Sequence, residues 1–128
     1  MFLLDTCTLL WLASDQAQLS VASREALAAG AGKLFVSAIS AFEIGVKHNK
    51  GKLTLPSPPA VWFPKALKLH GIRQIAITPR IALRATALPP LHNDPMDRLI
   101  IATAQLRRLV LITPDEHISR YPGVTCLW

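Results

Sequence analysis

Two short runs in this sequence are apolar at every position: Phe2-Leu3-Leu4 near the start and Leu109-Val110-Leu111-Ile112 near the end. A strand with no polar position offers no face to water. It belongs in the middle of a sheet covered on both sides, the usual setting of parallel strands. Each run leads to a carboxylate, Asp5 directly and Asp115 after Thr113-Pro114. In open α/β sheets, ligands bind outside the carboxyl ends of such strands. Helix-like segments alternate with the strand-like ones, which predicts an α/β class: a mainly parallel central sheet in a three-layer α/β/α sandwich.

The rest of the chain fills in that frame. Helices are expected over residues 8–13, 22–29, 38–48, 60–70, 79–87, from 95 onward, and near 116–120. Further strands are expected over 33–36, 74–77 and 124–127. Ser20 and Thr78 suit helix caps, Gly30 and Gly71 suit helix stops, and Pro79 suits a first helical position. Residues 53–59 form a Pro-rich connector. Trp11, Trp62 and Phe63 read as core, with a subunit or partner contact as the other use for them. We find no internal repeat and no low-complexity stretch, so residues 1–128 read as one domain.

The helix beginning at Asp94-Pro95-Met96-Asp97-Arg98 carries the most informative pattern. Asp94 can cap it, and Pro95 fits the position whose N–H has no partner anyway. Asp97, Ile100, Ile101 and Ala104 then follow the i, i+3, i+4, i+7 spacing of one helical face. That puts a carboxylate on the stripe that faces the interior, where an unpaired ionised acid is costly. A plainer reading also fits, because Asp94 and Asp97 resemble a capping box at the positive end of a helix dipole. Capping leads for Asp94 and a functional role leads for Asp97. The helix over 38–48 repeats the theme: Ile39, Phe42, Glu43 and Val46 share a face. Glu43 is either a ligand, a salt-bridge partner or an edge residue. Asp5 reads equally as ligand or cap, and Asp115 is open to a capping role as well.

Four acids at strand ends and on inward helix faces would repel one another unless a cation joined them. Hard oxygen donors of this kind suit Mg²⁺ or Mn²⁺. Such an ion polarises a phosphodiester and lowers the pKa of a bound water. The chain has 14 Lys and Arg against 8 Asp and Glu, a formal charge of +6, which favours a polyanionic partner, most simply nucleic acid. Lys47, Lys50 and Lys52 cluster at a helix end, where a plain helix-terminus role is the alternative. Arg98 and His92 are further candidates to touch a nucleic acid. His92 either donates to a phosphate, supports a carboxylate, or is an ordinary loop histidine.

Other chemistries find no support. There is no Gly-rich phosphate loop, no G-x-S-x-G elbow and no H-E-x-x-H pair. An aspartyl-phosphate phosphatase would need a second aspartate two residues after Asp5, where Cys7 stands. No apolar run is long enough to span a bilayer. Met1 leads straight into a strand with no basic leader, so no signal peptide is read. Two cysteines without framework spacing fit a reducing, cytoplasmic setting.

The ordered set of motifs resembles the PIN-domain ribonucleases, specifically VapC-type toxins of toxin–antitoxin pairs. The resemblance runs nearly end to end. It rests on Leu3-Leu4-Asp5-Thr6, Val36-Ser37-Ala38 through Glu43-Ile44, and Lys47 with Gly51-Lys52-Leu53. It continues through His92-Asn93-Asp94-Pro95-Met96-Asp97-Arg98-Leu99-Ile100-Ile101-Ala102 to Leu111-Ile112-Thr113-Pro114-Asp115. It implies that Asp5, Glu43, Asp97 and Asp115 form an acidic Mg²⁺ or Mn²⁺ site, with Asp94 assisting or only capping. It implies that Thr6 and Thr113 orient carboxylates or water. The implied reaction is metal-dependent RNA hydrolysis, and the implied partners are a VapB-like antitoxin and a second copy of the chain. Cys7 stands where His or Asn is expected, which puts a substrate contact there in doubt. An RNA-binding or regulatory module with little turnover, or a processing nuclease outside any toxin pair, would share these motifs.

Overall fold

The computed structural model describes residues 1–128. Five strands, β1 (Phe2–Leu4), β2 (Leu34–Ser37), β3 (Ile72–Ile75), β4 (Val110–Ile112) and β5 (Thr125–Leu127), form one sheet in the order β3-β2-β1-β4-β5. Every pairing is parallel. Strand order therefore reverses at β1, and the crevice between the ends of β1 and β4 is the topological switch point. The connections are helical: α1 (Thr6–Ser14), α2 (Val21–Ala29), α3 (Ala38–Asn49), α4 (Pro59–His70), α5 (Pro79–Thr86), α6 (Pro95–Arg107) and the single turn α7 (Glu116–Ser119).

The two apolar runs behave as their composition requires. Successive residues point to opposite faces, so each run serves two cores. Leu3 and Leu111 enter the core shared with α5, α6 and α7, through Ile81, Ala85, Ile100 and Ile118. Leu4 and Ile112 enter the core shared with α1, α2 and α4, through Leu9, Leu27, Trp62 and Phe63. Leu3, Leu4, Leu111 and Ile112 are all fully buried. Trp62 and Phe63 are 8% and 6% exposed, so they are core side chains and not surface anchors. Trp11 is half-buried against Trp128, with ring centroids 5.7 Å apart.

Two sequence expectations move. The third strand lies at Ile72–Ile75, two residues earlier than the expected 74–77. Gly71 closes α4 in the left-handed region (φ 64°), and the chain enters the sheet at once, pairing Ile72 with Leu34. As an edge strand it leaves Arg73 and Gln74 exposed, so its first half offers no apolar run to mark its start. A short 3₁₀ turn at Gln16–Gln18 was not expected.

Candidate active site

Asp5 ends β1 at the switch point and is 7% exposed. Its backbone N–H donates to Ile112 O at 3.1 Å, which locks the end of β1 to the end of β4. Oδ1 accepts the Thr6 N–H at 2.8 Å, and Oδ2 accepts the Thr113 hydroxyl at 2.7 Å. The Cys7 thiol lies 3.8 Å from the same Oδ2. Burial pushes the Asp5 carboxyl above its ordinary range. The Thr113 and Thr6 hydrogen bonds oppose this, and Glu43 and Asp115 add to it. Burial holds the Cys7 thiol up at about 12, helped by the Asp5 charge, so Cys7 is a neutral thiol.

Thr113 connects two acids. Its Oγ1 donates to Asp5 and accepts the Asp115 N–H at 3.1 Å. Asp115 caps α7 through Oδ1, which accepts the His117 N–H at 2.8 Å and lies 3.2 Å from His117 Nδ1. Glu43 arrives from the second turn of α3, 14% exposed. Its Oε2 pairs with Lys47 Nζ at 2.9 Å, while its Oε1 is buried with no hydrogen-bond partner.

Asp97 sits in the first turn of α6, its side chain 15% exposed. Its Oδ2 lies 2.8 Å from His92 Nε2, which donates when Asp97 is ionised. Burial raises its pKa to about 6. The His92 bond opposes the rise, and the charges of Asp5, Asp94 and Glu43 reinforce it. Asp94 caps α6 with Oδ1 alone, accepting the N–H groups of Met96 at 2.9 Å and Asp97 at 3.4 Å. Ligand atoms of His92, Asp94 and Asp97 lie within 4.8 Å of one another.

Capping and ligand roles are therefore compatible. Asp94 and Asp115 each cap with one oxygen and leave the other without a hydrogen bond. The acids also feel one another: Asp5 the charges of Glu43 and Asp115, Asp97 those of Asp5, Asp94 and Glu43. A buried carboxylate oxygen without a donor and two carboxyls raised by burial and mutual repulsion are what a bound cation would resolve. The donor set is oxygen-rich and hard, which fits a divalent ion such as Mg²⁺ or Mn²⁺.

The other candidates separate. Lys50 and Lys52 are exposed at the end of α3. Lys47 is committed to Glu43. Burial draws its pKa down, but the Glu43 carboxylate outweighs that, with Asp5 helping, and leaves it raised. The Thr6 hydroxyl bonds Ser40 Oγ at 2.8 Å and ties α1 to α3. Thr6 supports Asp5 through its N–H, and its hydroxyl contacts no carboxylate. Arg98 does not suit the RNA contact expected of it. Its terminal nitrogens are engaged by the carbonyls of Ala85, Leu88, Pro89 and His92 and by the Tyr121 hydroxyl. Sequence reasoning missed Tyr121, Ser40 and His117. Only His117 carried a local signal, two residues after a capping acid.

Known proteins share both the sequence and the fold. The PIN domain family model matches residues 2–124. Ribonuclease VapC22 of Mycobacterium tuberculosis is 35% identical over 129 residues, spanning 98% of this chain and 97% of that protein. A toxin–antitoxin complex from Klebsiella pneumoniae contains a chain 27% identical to this one, with TM-score 0.64, covering 98% of this chain and 96% of that chain. VapBC2 from Rickettsia felis, bound to a DNA fragment from its promoter, shares the fold with TM-score 0.73 at 15% identity, covering 98% and 96%. The chain belongs to the PIN domain family.

Proposed function

We propose that this chain is an endoribonuclease that hydrolyses RNA phosphodiester bonds at a divalent-metal site built from Asp5, Glu43, Asp97 and Asp115. The observation that carries the reading is the buried, donorless Glu43 Oε1 beside two carboxyls held above their usual range. A purely structural glutamate would not keep a buried carboxylate oxygen without a donor. The similarity to a named ribonuclease over nearly the whole chain supports the same reaction class.

The chain's own groups divide the work. Asp5, locked by the Thr113 hydroxyl and the Thr6 N–H, is the fixed ligand at the switch point. Asp97 is oriented by His92 and Asp115 by its own helix cap. Lys47 neutralises part of the cluster through Glu43. Lys50 and Lys52 face solvent at the end of α3 and hold the RNA backbone by charge. When bound, Mg²⁺ or Mn²⁺ supplies Lewis acidity and a water of lowered pKa for attack on phosphorus.

Residues 1–128 act as one nuclease domain. The protein is the toxin of a type II pair, restrained by a VapB-like antitoxin and working as a homodimer in the cytoplasm. Likeness to toxin–antitoxin assemblies supports this partner. No helix is long and apolar enough to cross a membrane. The test is to incubate partner-free protein with cellular RNA, with Mn²⁺ or Mg²⁺ and with EDTA, and to co-express it with a candidate VapB-like antitoxin. Metal-dependent cleavage and growth arrest relieved by the partner are expected. RNA binding without cleavage under every metal condition would return the binding-module reading.

A further inference from the structure

Arg98 is out of place as a surface cation. It lies one residue after Asp97 in the first turn of α6, where the helix dipole disfavours positive charge. Its guanidinium instead spans the α5–α6 connection. Nη2 donates to Ala85 O at 2.9 Å and Leu88 O at 2.8 Å, which satisfies carbonyls at the end of α5. Nη1 reaches Pro89 O at 3.0 Å, His92 O at 3.2 Å and Tyr121 Oη at 3.3 Å. The Tyr121 hydroxyl in turn donates to the same His92 carbonyl at 3.1 Å.

The convergence on His92 needs an explanation beyond loop stapling. Two donors from different elements hold its carbonyl, and its ring is the one side chain that hydrogen-bonds Asp97. The ring also stacks on His117, with centroids 5.5 Å apart and planes 18° apart. The backbone is fixed from one side and the ring from two others. We propose that Arg98 and Tyr121 are positioning residues that seat His92 on Asp97 and so fix the direction of the Asp97 oxygen left free for a cation. The proposal rests on the reading of Asp97 as a metal ligand. A partner behind a ligating carboxylate commonly changes metal affinity about 10- to 100-fold.

The experiment is a double-mutant cycle read by Mn²⁺ binding in calorimetry, with melting temperature and the ¹⁵N shifts of the His92 ring recorded for each protein. Tyr121→Phe keeps the packing and removes only the hydroxyl, so it is the mild arm. His92→Ala is expected to weaken Mn²⁺ binding about tenfold or more. Tyr121→Phe is expected to weaken it less, and to move the Nε2 shift away from its Asp97-bonded value. In the His92→Ala background, Tyr121→Phe is expected to change Mn²⁺ affinity no further, because its effect runs through His92. Arg98→Lys keeps the charge but loses the fork, and should follow Tyr121→Phe. Additive losses of affinity overturn the proposal, as does a Tyr121→Phe protein that melts lower yet binds Mn²⁺ and holds its Nε2 shift as wild type does. If wild type binds no Mn²⁺, the metal-site reading falls. The Nε2 shift then decides the seating alone: a shift unchanged in Tyr121→Phe overturns it, and a displaced one upholds it.

Discussion

Asp97→Asn should make the metal-free protein more stable at neutral pH while removing its activity. The Asp97 carboxyl titrates at about 6, against an ordinary value of 3.8, because it is buried among Asp5, Asp94 and Glu43. A rise of about 2 units at 1.36 kcal/mol each is about 3 kcal/mol. The side chain is 15% exposed, so solvent screening removes little of it. The fold favours the neutral acid. That stabilisation is complete below pH 3.8 and is lost as pH rises through about 6. At pH 7.5 wild type carries the full burden of an ionised Asp97, and the amide carries none. Asparagine still accepts from His92 but gives up a helix-dipole interaction of about 0.3–1 kcal/mol, leaving a net gain of about 2 kcal/mol. The assay is urea denaturation in EDTA from pH 4 to pH 8. The gain should be largest above pH 7 and fade toward pH 4. An asparagine variant no more stable than wild type at pH 7.5, or one whose advantage persists undiminished at pH 4, would refute the electrostatic reasoning.

Three further outcomes follow from the same geometry. Thr113→Val removes the donor to Asp5 Oδ2 and the acceptor for the Asp115 N–H; it should lower stability by about 1–3 kcal/mol in urea melts and reduce cleavage, and a loss below about 0.5 kcal/mol would contradict the bridging role. Lys50→Ala removes an exposed cation and should reduce the slope of log RNA affinity against log salt by about 1; an unchanged slope removes Lys50 from the RNA path. Arg108 ends α6 in the left-handed region at φ 53° with a side chain that disfavours it. Arg108→Gly should therefore raise stability by about 1 kcal/mol, read as a higher urea midpoint at an unchanged slope.

The acids proposed for the metal site stand out in the sequence because each breaks a local rule. Asp97 lay on an apolar stripe, Glu43 lay on another, and Asp5 and Asp115 followed strands with no polar position. What the sequence could not say was how a capping acid keeps one oxygen free, since a spacing does not distinguish one carboxylate oxygen from the other. In the fold, Oδ1 of Asp94 and of Asp115 faces its own helix, and the second oxygen stays free of hydrogen bonds. Arg98 misled for a related reason. Next to Asp97 in sequence it looks like a substrate contact, but its acceptors lie 6 to 23 residues away, and no local pattern encodes them. Tyr121 was invisible for the same reason. The third strand was placed two residues late because it opens directly from a left-handed glycine and its exposed Arg73 and Gln74 give no apolar run at its start.

The most direct measurement is the anomalous scattering of Mn²⁺ in crystals of the partner-free protein. Two donor sets compete in the fold. One is the switch-point cluster of Asp5, Glu43, Asp97 and Asp115. The other is the His92–Asp94–Asp97 group, whose ligand atoms already lie within 4.8 Å of one another. A peak is expected in contact with Asp5 and Asp97 carboxylate oxygens at about 2.1 Å, typical of a small hard cation on oxygen, with His92 remaining on Asp97 Oδ2. A peak held by His92, Asp94 and Asp97 alone, with Asp5 bare, would rule out the switch-point site.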